Sequence, residues 1–431
     1  MTSINRRSLI GRSAAVAGGL AIGRTALAGA APSSRYSPAV IRAQDKTEIQ
    51  IYHIWGTPPG GEPAASPSPM TQVIDAFNAQ SDSVVATPFT PGGYYETLQK
   101  TQADMAAGNP PDVVSVPWAF LEYAVDGLGV NQLPEVAGDS FDNLKGLLSE
   151  TAWELVTKDG NIYGLPWGLS TPIFYYNADI FEQAGVDPTV MFNTWEEFGA
   201  EALKLQETLN GNPAFSLMYN KDWPAQTLIQ SNGGRIMNDD GTFGFTSDEA
   251  KQAMQTIADL DLQGLYDRGA KPELRQNFIA GTTAIMQGSI SSLKGVYDEA
   301  QFNVKTATWP KFGDKPVVAS TGGSFLANFT KDEAKYEAVV EFLSFCAGPD
   351  GYAIWNQTGY VNISNNDLPR IDGQEPAYAQ FDAGLIRETN WPGARGVEAG
   401  STWDVYCERI WANDISVEDG VQQAFEEIQA I

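Results

Sequence analysis

Between residues 48 and 117 the chain alternates strand-like and helix-like stretches with little between them, and this limits the folds open to it. "EIQIYHIW" (48–55) is β-rich and alternating, and it ends at the Pro- and Gly-rich loop "GTPPGGEPAASPSP". "MTQVIDAFNAQ" then puts Val73, Ile74 and Phe77 on one helical face, and "SVVATPF" reads as a second strand. "YYETLQKTQADMAAG" is a helix closed by Gly108, and "PPDVVSV" is a third short strand. The β-α-β-α-β order predicts an α/β fold with a parallel sheet covered by helices. Ligands of such sheets bind beyond the carboxyl ends of the strands, here Trp55–Thr57, Gly92–Tyr95 and Pro117–Phe120.

A second α/β block is expected over about 175–306. The helix "TWEEFGAEALKLQETL" takes Thr194 as N-cap with Glu197 completing a capping box, and "SDEAKQAMQTIADLDLQG" takes Ser247 as its cap. "AFSLMYN" and "TTAIMQ" are its strands. Strand character resumes in "QFNVKTATWP" and "KPVVASTGGSFLANF", and "KDEAKYEAVVEFLSFCAG" is a helix, as is the end of the chain. No period of 20 to 50 residues repeats.

The first 44 residues hold six arginines and no acid, whereas the whole chain of 431 residues carries a net charge of −26. "NRRSLIG", the mild apolar run from Ala14 to Leu20 and the small-residue stretch "ALAGAA" read as a twin-arginine export leader over 1–44. Nothing later approaches the length of an apolar membrane span. So acidic a chain, without a basic cluster, is not expected to bind nucleic acid. Cys346 and Cys407 are the only cysteines, either paired or buried as free thiols, and with one histidine they cannot form a zinc site. Neither a metal nor a cofactor is expected.

"DGNIYGLPWGLSTPIFYYNADIFEQAGVDPTVMFNTWEEF" resembles the segment of extracellular solute-binding proteins of ABC importers in which a Gly-x-Leu-Pro turn leads through Ser-Thr-Pro into a Tyr-Tyr-Asn strand end. "MAAGNPPDVVSV", "SNGGRIMNDDGTFGF", "FIAGTTAIMQGS", "STGGSFLANFTKDEAKYEAVVEFLSF" and "IWNQTGYVNIS" continue the resemblance in order. It implies a periplasmic-binding-protein type II-like fold with two discontinuous α/β lobes, a hinge and an interlobe cleft. The expected lobes are 45–169 with 308–346 and 175–306 with 349–431, crossing near 168–174, 306–310 and 347–349. The carbohydrate and glycerol 3-phosphate binders are the subgroups most similar. The resemblance therefore implies a monomeric, non-enzymatic receptor at the cell envelope, periplasmic or extracellular. It would pass a sugar or glycerol-phosphate solute to the transmembrane permease of its importer.

A sugar presents an apolar C–H face and a hydroxyl edge, so its receptor needs aromatic platforms and short polar side chains. Trp55 and Trp118 lie at expected strand ends, and Ser170 and Thr171 lie at the bend made by Gly168 and Pro172. By resemblance, Tyr95, Trp223, Ser289 and Tyr360 contact ligand and Arg395 is an anion-binding arginine, while Gly322 and Gly323, lacking side chains, allow close backbone approach and amide donation. Trp118 stands where acidic members of the family offer a carboxylate.

The alternative is a secreted glycosidase or polysaccharide lyase, which needs only two well-placed acids. His53 is the single histidine, inside the first strand, and neither a nucleophile elbow nor a phosphate loop occurs. "NDDGTFGF" lacks the distant glutamate of a calcium loop and reads as an Asx/Gly hairpin turn.

Overall fold

Strand β1 (Thr47–Tyr52) turns Ile49 and Ile51 into the core and leaves Gln50 outside, the alternation its sequence demands. The computed structural model describes residues 46–57, 59, 68–218, 220–238, 240–384, 389, 391 and 395–431. The expected leader at 1–44 lies outside them. β1 pairs in parallel with β2 (Val84–Phe89) and β3 (Val113–Pro117). Helices α1 (Pro69–Gln80) and α2 (Tyr94–Ala106) fill the two connections, as the alternation predicts. Ser68 caps α1 by accepting the Thr71 amide, and the helix buries Met70, Val73, Ile74 and Phe77.

The first sheet is completed by two strands from farther along the chain. β4 (Leu165–Ser170) forms one edge, and β10 (Gly322–Asn328) runs antiparallel between β3 and β4, giving the order β2-β1-β3-β10-β4. Pro88 and Pro166 sit in the two edge strands, where a missing N–H breaks no internal ladder.

The second sheet has the order β9-β5-β8-β6-β7, from β5 (Pro172–Asn177), β6 (Phe215–Leu217), β7 (Tyr266–Asp267), β8 (Ile285–Ser289) and β9 (Val304–Ala307). Helix α3 (Trp195–Thr208) covers it, with Thr194 accepting the Glu197 amide. The Glu197 carboxylate returns to the Thr194 hydroxyl at 3.0 Å, so the expected box closes through side chains. Phe174 meets Trp195, Phe198 and Trp309 ring to ring, and burying one such phenyl contributes about 2–3 kcal/mol. Helices α4 (Asp222–Ser231) and α5 (Asp248–Leu262) follow, with Ser247 capping α5 as expected. Asn238 donates twice to Thr242 across the anticipated hairpin turn, from its amide to the Thr242 carbonyl and from Nδ2 to the Thr242 hydroxyl.

Among the described residues the chain passes between the sheets in three places. Ser170 ends β4 and Pro172 begins β5, so Thr171 alone joins them, inside the expected 168–174. The second passage is at Thr321–Gly322 rather than 306–310. After β9 the chain stays beside the second sheet: Trp309 Nε1 donates to the Pro172 carbonyl at 2.9 Å, and Ser320 N donates to Thr227 on α4 at 3.2 Å. The third lies beyond 347–349. Helix α6 (Tyr336–Ala347) is followed by α7 (Pro349–Asn356), which packs on α1 and α6 and brings Tyr352 and Trp355 against Trp167 of β4. Helix α8 (Glu375–Ala383) packs instead on β5 and β9, and α9 (Gly396–Trp411) and α10 (Val417–Gln429) join α5. No helix of the described residues is long and apolar enough to cross a membrane.

Candidate functional site

The backbone at Gly322, where the chain enters the first sheet, gathers several of the sequence-selected residues. Gly322 pairs in register with Ser170. A methyl group at 322 would lie 2.8 Å from Ser170 Oγ and would strike the indole of Trp223, which belongs to α4 on the second sheet's side. Trp223 Nε1 donates to the Thr321 carbonyl at 3.0 Å. Trp118 Nε1 donates to the Gly322 carbonyl at 2.9 Å. Gly323 has φ of +107°, and a side chain there would run into the Gly168 carbonyl, so glycine is required on both counts.

A second group surrounds the neighbouring part of β4. Tyr360 stacks on Trp355 at 4.8 Å, lies over Gly168, and accepts a hydrogen bond from Trp55 Nε1 at 3.2 Å. Trp55 meets Trp355 edge-on at 4.8 Å. Beside these, Thr171 is fully buried with its hydroxyl on Gln380 of α8, and its carbonyl accepts from Ile290 N. Ser289 pairs with Pro172 in register, and its hydroxyl caps Ser291 N at 3.2 Å.

Tyr95, in the first turn of α2, reaches across to the second sheet's side, where its hydroxyl donates to Asp222 Oδ2 at 3.3 Å. Asp222 Oδ1 accepts from Trp223 N at 2.8 Å. Asp404 of α9 accepts from the amides of Lys221 and Asp222 and, at 3.1 Å, from Asn220. Burial and then the Asp404 charge push the Asp222 carboxyl well above the usual carboxylate range, and burial raises Asp404. Burial also lowers buried Lys221, whose Nζ donates to the Leu217 carbonyl.

Two assignments read differently in the structure. Trp118 is fully buried and stacks at 5.9 Å on Phe325 of β10, because the 3-10 turn it begins tucks the ring against that strand. It supports the Gly322 backbone and is not an open platform. Arg395 stands apart as an exposed residue, its guanidinium doubly bonded to Glu398 at 2.6 and 2.7 Å and also to the Ile431 carbonyl. That fork is already filled by a carboxylate.

Sequence reading passed over Asp222, Gln226, Gln230 and Asp404. The available signal was the polar repeat in "DWPAQTLIQ", where Asp222, Gln226 and Gln230 recur every four residues. His53 accepts the Trp55 amide on Nδ1 at 3.2 Å, and burial lowers its pKa to about 4, so the ring is neutral. It lines a cavity of about 280 Å³ with Thr57, Thr71, Phe89 and Thr90 at the carboxyl ends of β1 and β2. Among the described residues no group of three or more His, Cys, Asp or Glu side chains could hold a metal ion.

The arrangement brings together, from both sheets' sides, rings and carboxylate, carboxamide and hydroxyl groups, the chemistry that a C–H face and a hydroxyl edge call for. The ABC substrate-binding protein Lmo0181 from Listeria monocytogenes, solved with cycloalternan, superposes with a TM-score of 0.76 at 20% identity, covering 90% of this chain and 99% of that one. UgpB from Mycobacterium tuberculosis, solved with glycerophosphocholine, gives 0.74 at 21% identity, covering 89% and 98%. These likenesses establish the type II-like periplasmic-binding fold. The sn-glycerol-3-phosphate-binding periplasmic protein UgpB of Pectobacterium atrosepticum is 25% identical over 416 residues, 90% of this chain and 92% of its own. Residues 72–378 match the model of the bacterial extracellular solute-binding protein family. With that match spanning most of the chain, and with binding proteins as its relatives, the protein belongs to the bacterial extracellular solute-binding family.

Proposed function

We propose that this protein is the solute-binding component of an ABC importer and that it closes on a neutral carbohydrate, which it delivers to the permease. The observation that carries the reading is the meeting of Trp223, from the second sheet's side, with the Gly322 backbone of the first, beside Ser170. A solute touching both sides at once favours the closed arrangement by its extra contacts there. In this reading one lobe is 46–170 with 322–356 and the other is 172–320 with 375–431, hinged at Thr171, at Thr321 and between Asn356 and Glu375. A neutral sugar is favoured over glycerol phosphate because Arg395 is engaged by Glu398, while Asp222 and Asp404 stand beside Trp223. Both carboxyls resist ionisation because the site is desolvated, and the same desolvation penalises a phosphate dianion.

The periplasmic names of the relatives support a working site outside the cytoplasmic membrane, and in this reading the arginine-rich 1–44 segment serves as a twin-arginine export leader. The protein acts as a monomer without enzymatic turnover.

A thermal-shift titration with glucose, maltose, maltotriose and glycerol 3-phosphate tests the reading. A sugar is expected to raise the melting temperature in a saturable way without being consumed. Trp223→Ala is expected to weaken that sugar about thirtyfold or more, as loss of a central aromatic anchor does. Stabilisation by glycerol 3-phosphate alone, or retained affinity in Trp223→Ala, refutes it.

A further inference from the structure

Helix α4 is buried along its whole length, yet half of its residues are polar. Asp222, Gln226 and Gln230 recur every four positions, so they form one face that spans about 12 Å. Asp222 meets Tyr95 and stands beside Asp404. Gln226 Oε1 accepts the Thr389 amide at 2.9 Å, and Gln230 Nε2 donates to Ser320 Oγ at 3.2 Å. That leaves Gln226 Nε2, a donor, and Gln230 Oε1, an acceptor, with no partner among the described residues. Gln226 is 0% exposed and Gln230 6%.

Buried carboxamides are ordinarily satisfied on both ends, because an unpaired polar atom in the interior is costly. Two half-satisfied amides one turn apart on the helix that carries Trp223 are therefore a signal for a missing partner. The complement of one donor and one acceptor is a hydroxyl, which accepts from Gln226 and donates to Gln230. An ionised phosphate oxygen only accepts, so it would leave Gln230 Oε1 without a donor. We infer that the Asp222–Gln226–Gln230 face of α4 is the hydroxyl-reading edge of the solute site, cut for a neutral saccharide of more than one ring. This rests on the receptor reading above and deepens it: Trp223 supplies the ring, and the face beside it supplies the specificity.

The test is calorimetric titration of the full chain and two variants with glucose, maltose, maltotriose and glycerol 3-phosphate. Gln226→Glu keeps an acceptor for the Thr389 amide and removes the spare donor, while adding a carboxyl at a buried position. Gln230→Met removes the spare acceptor and, with no charge introduced, guards against a folding defect in the first variant. Wild-type affinity is expected to rise from glucose to maltotriose. Each variant should bind maltotriose about tenfold or more weakly while its melt stays cooperative. If the wild type binds a sugar and both folded variants match it, the edge lies elsewhere and the receptor reading stands. If the wild type binds none of the three sugars, that reading falls for these solutes and this inference falls with it.

Discussion

His53 shows how one buried side chain fixes a pH response. Its Nδ1 accepts the Trp55 amide, its Nε2 has no partner among the described residues, and burial lowers its pKa from 6.5 to about 4. The folded state holds the ring neutral while the unfolded chain protonates it readily, so its contribution is full above pH 6.5 and is lost as pH falls towards 4. The loss amounts to roughly 3 kcal/mol over that window. Asp222 acts in the opposite sense, since its raised pKa favours the folded state at low pH and opposes it as the carboxyl ionises. His53→Gln removes the imidazole and leaves the Asp222 carboxyl in place. Urea melts of the two proteins are expected to diverge below pH 6.5, the wild type losing stability faster, whereas parallel curves would mean that the ring is not held neutral.

Elements were legible where burial is one-sided. The period of α1, the caps of α3 and α5 and the alternation of β1 were all written in local sequence, because one face of each meets core and the other meets water. Helix α4 was not legible as a helix, although Trp223 was singled out within it, because a helix buried all round shows no amphipathic stripe and Pro224 sits near its start. The surroundings of 308–320 were not legible for a related reason. Its anchor, the Pro172 carbonyl under Trp309, is 137 residues away, and no local pattern encodes that partner. The cysteines follow the same logic at a finer grain. Cys346 lies on α6, beside the first sheet, and Cys407 on α9, packed with α4 and α5, and both are free and fully buried. Burial pushes both thiols well above their ordinary range, which starves them of reactive thiolate. The folded protein is therefore expected to react with a thiol reagent only on the timescale of opening, and both thiols to titrate at once in denaturant. Rapid native labelling of either contradicts the packing of its helix.

At the scale of the whole molecule, charge and site have to be reconciled. A net charge of −26 surrounds a seam whose own ionisable groups include Asp222 and Asp404. The field of such a chain slows the approach of any anion and leaves a neutral guest untouched. The ring-to-backbone contact of Trp223 with Gly322 and the amides of α4 are short-range interactions, which dissolved ions do not screen. A saccharide should thus bind with nearly the same affinity at low and high salt, the Kd moving by less than about twofold between roughly 50 and 500 mM sodium chloride. A solute recognised through its charge behaves otherwise: its affinity tracks ionic strength, because added salt screens both the repulsion from the acidic body and any attraction to a local cation. Titrating one sugar across that range therefore reads the chemistry of the seam directly, and a steep salt dependence would show that a charged group, rather than a hydroxyl edge, is what the two halves close upon.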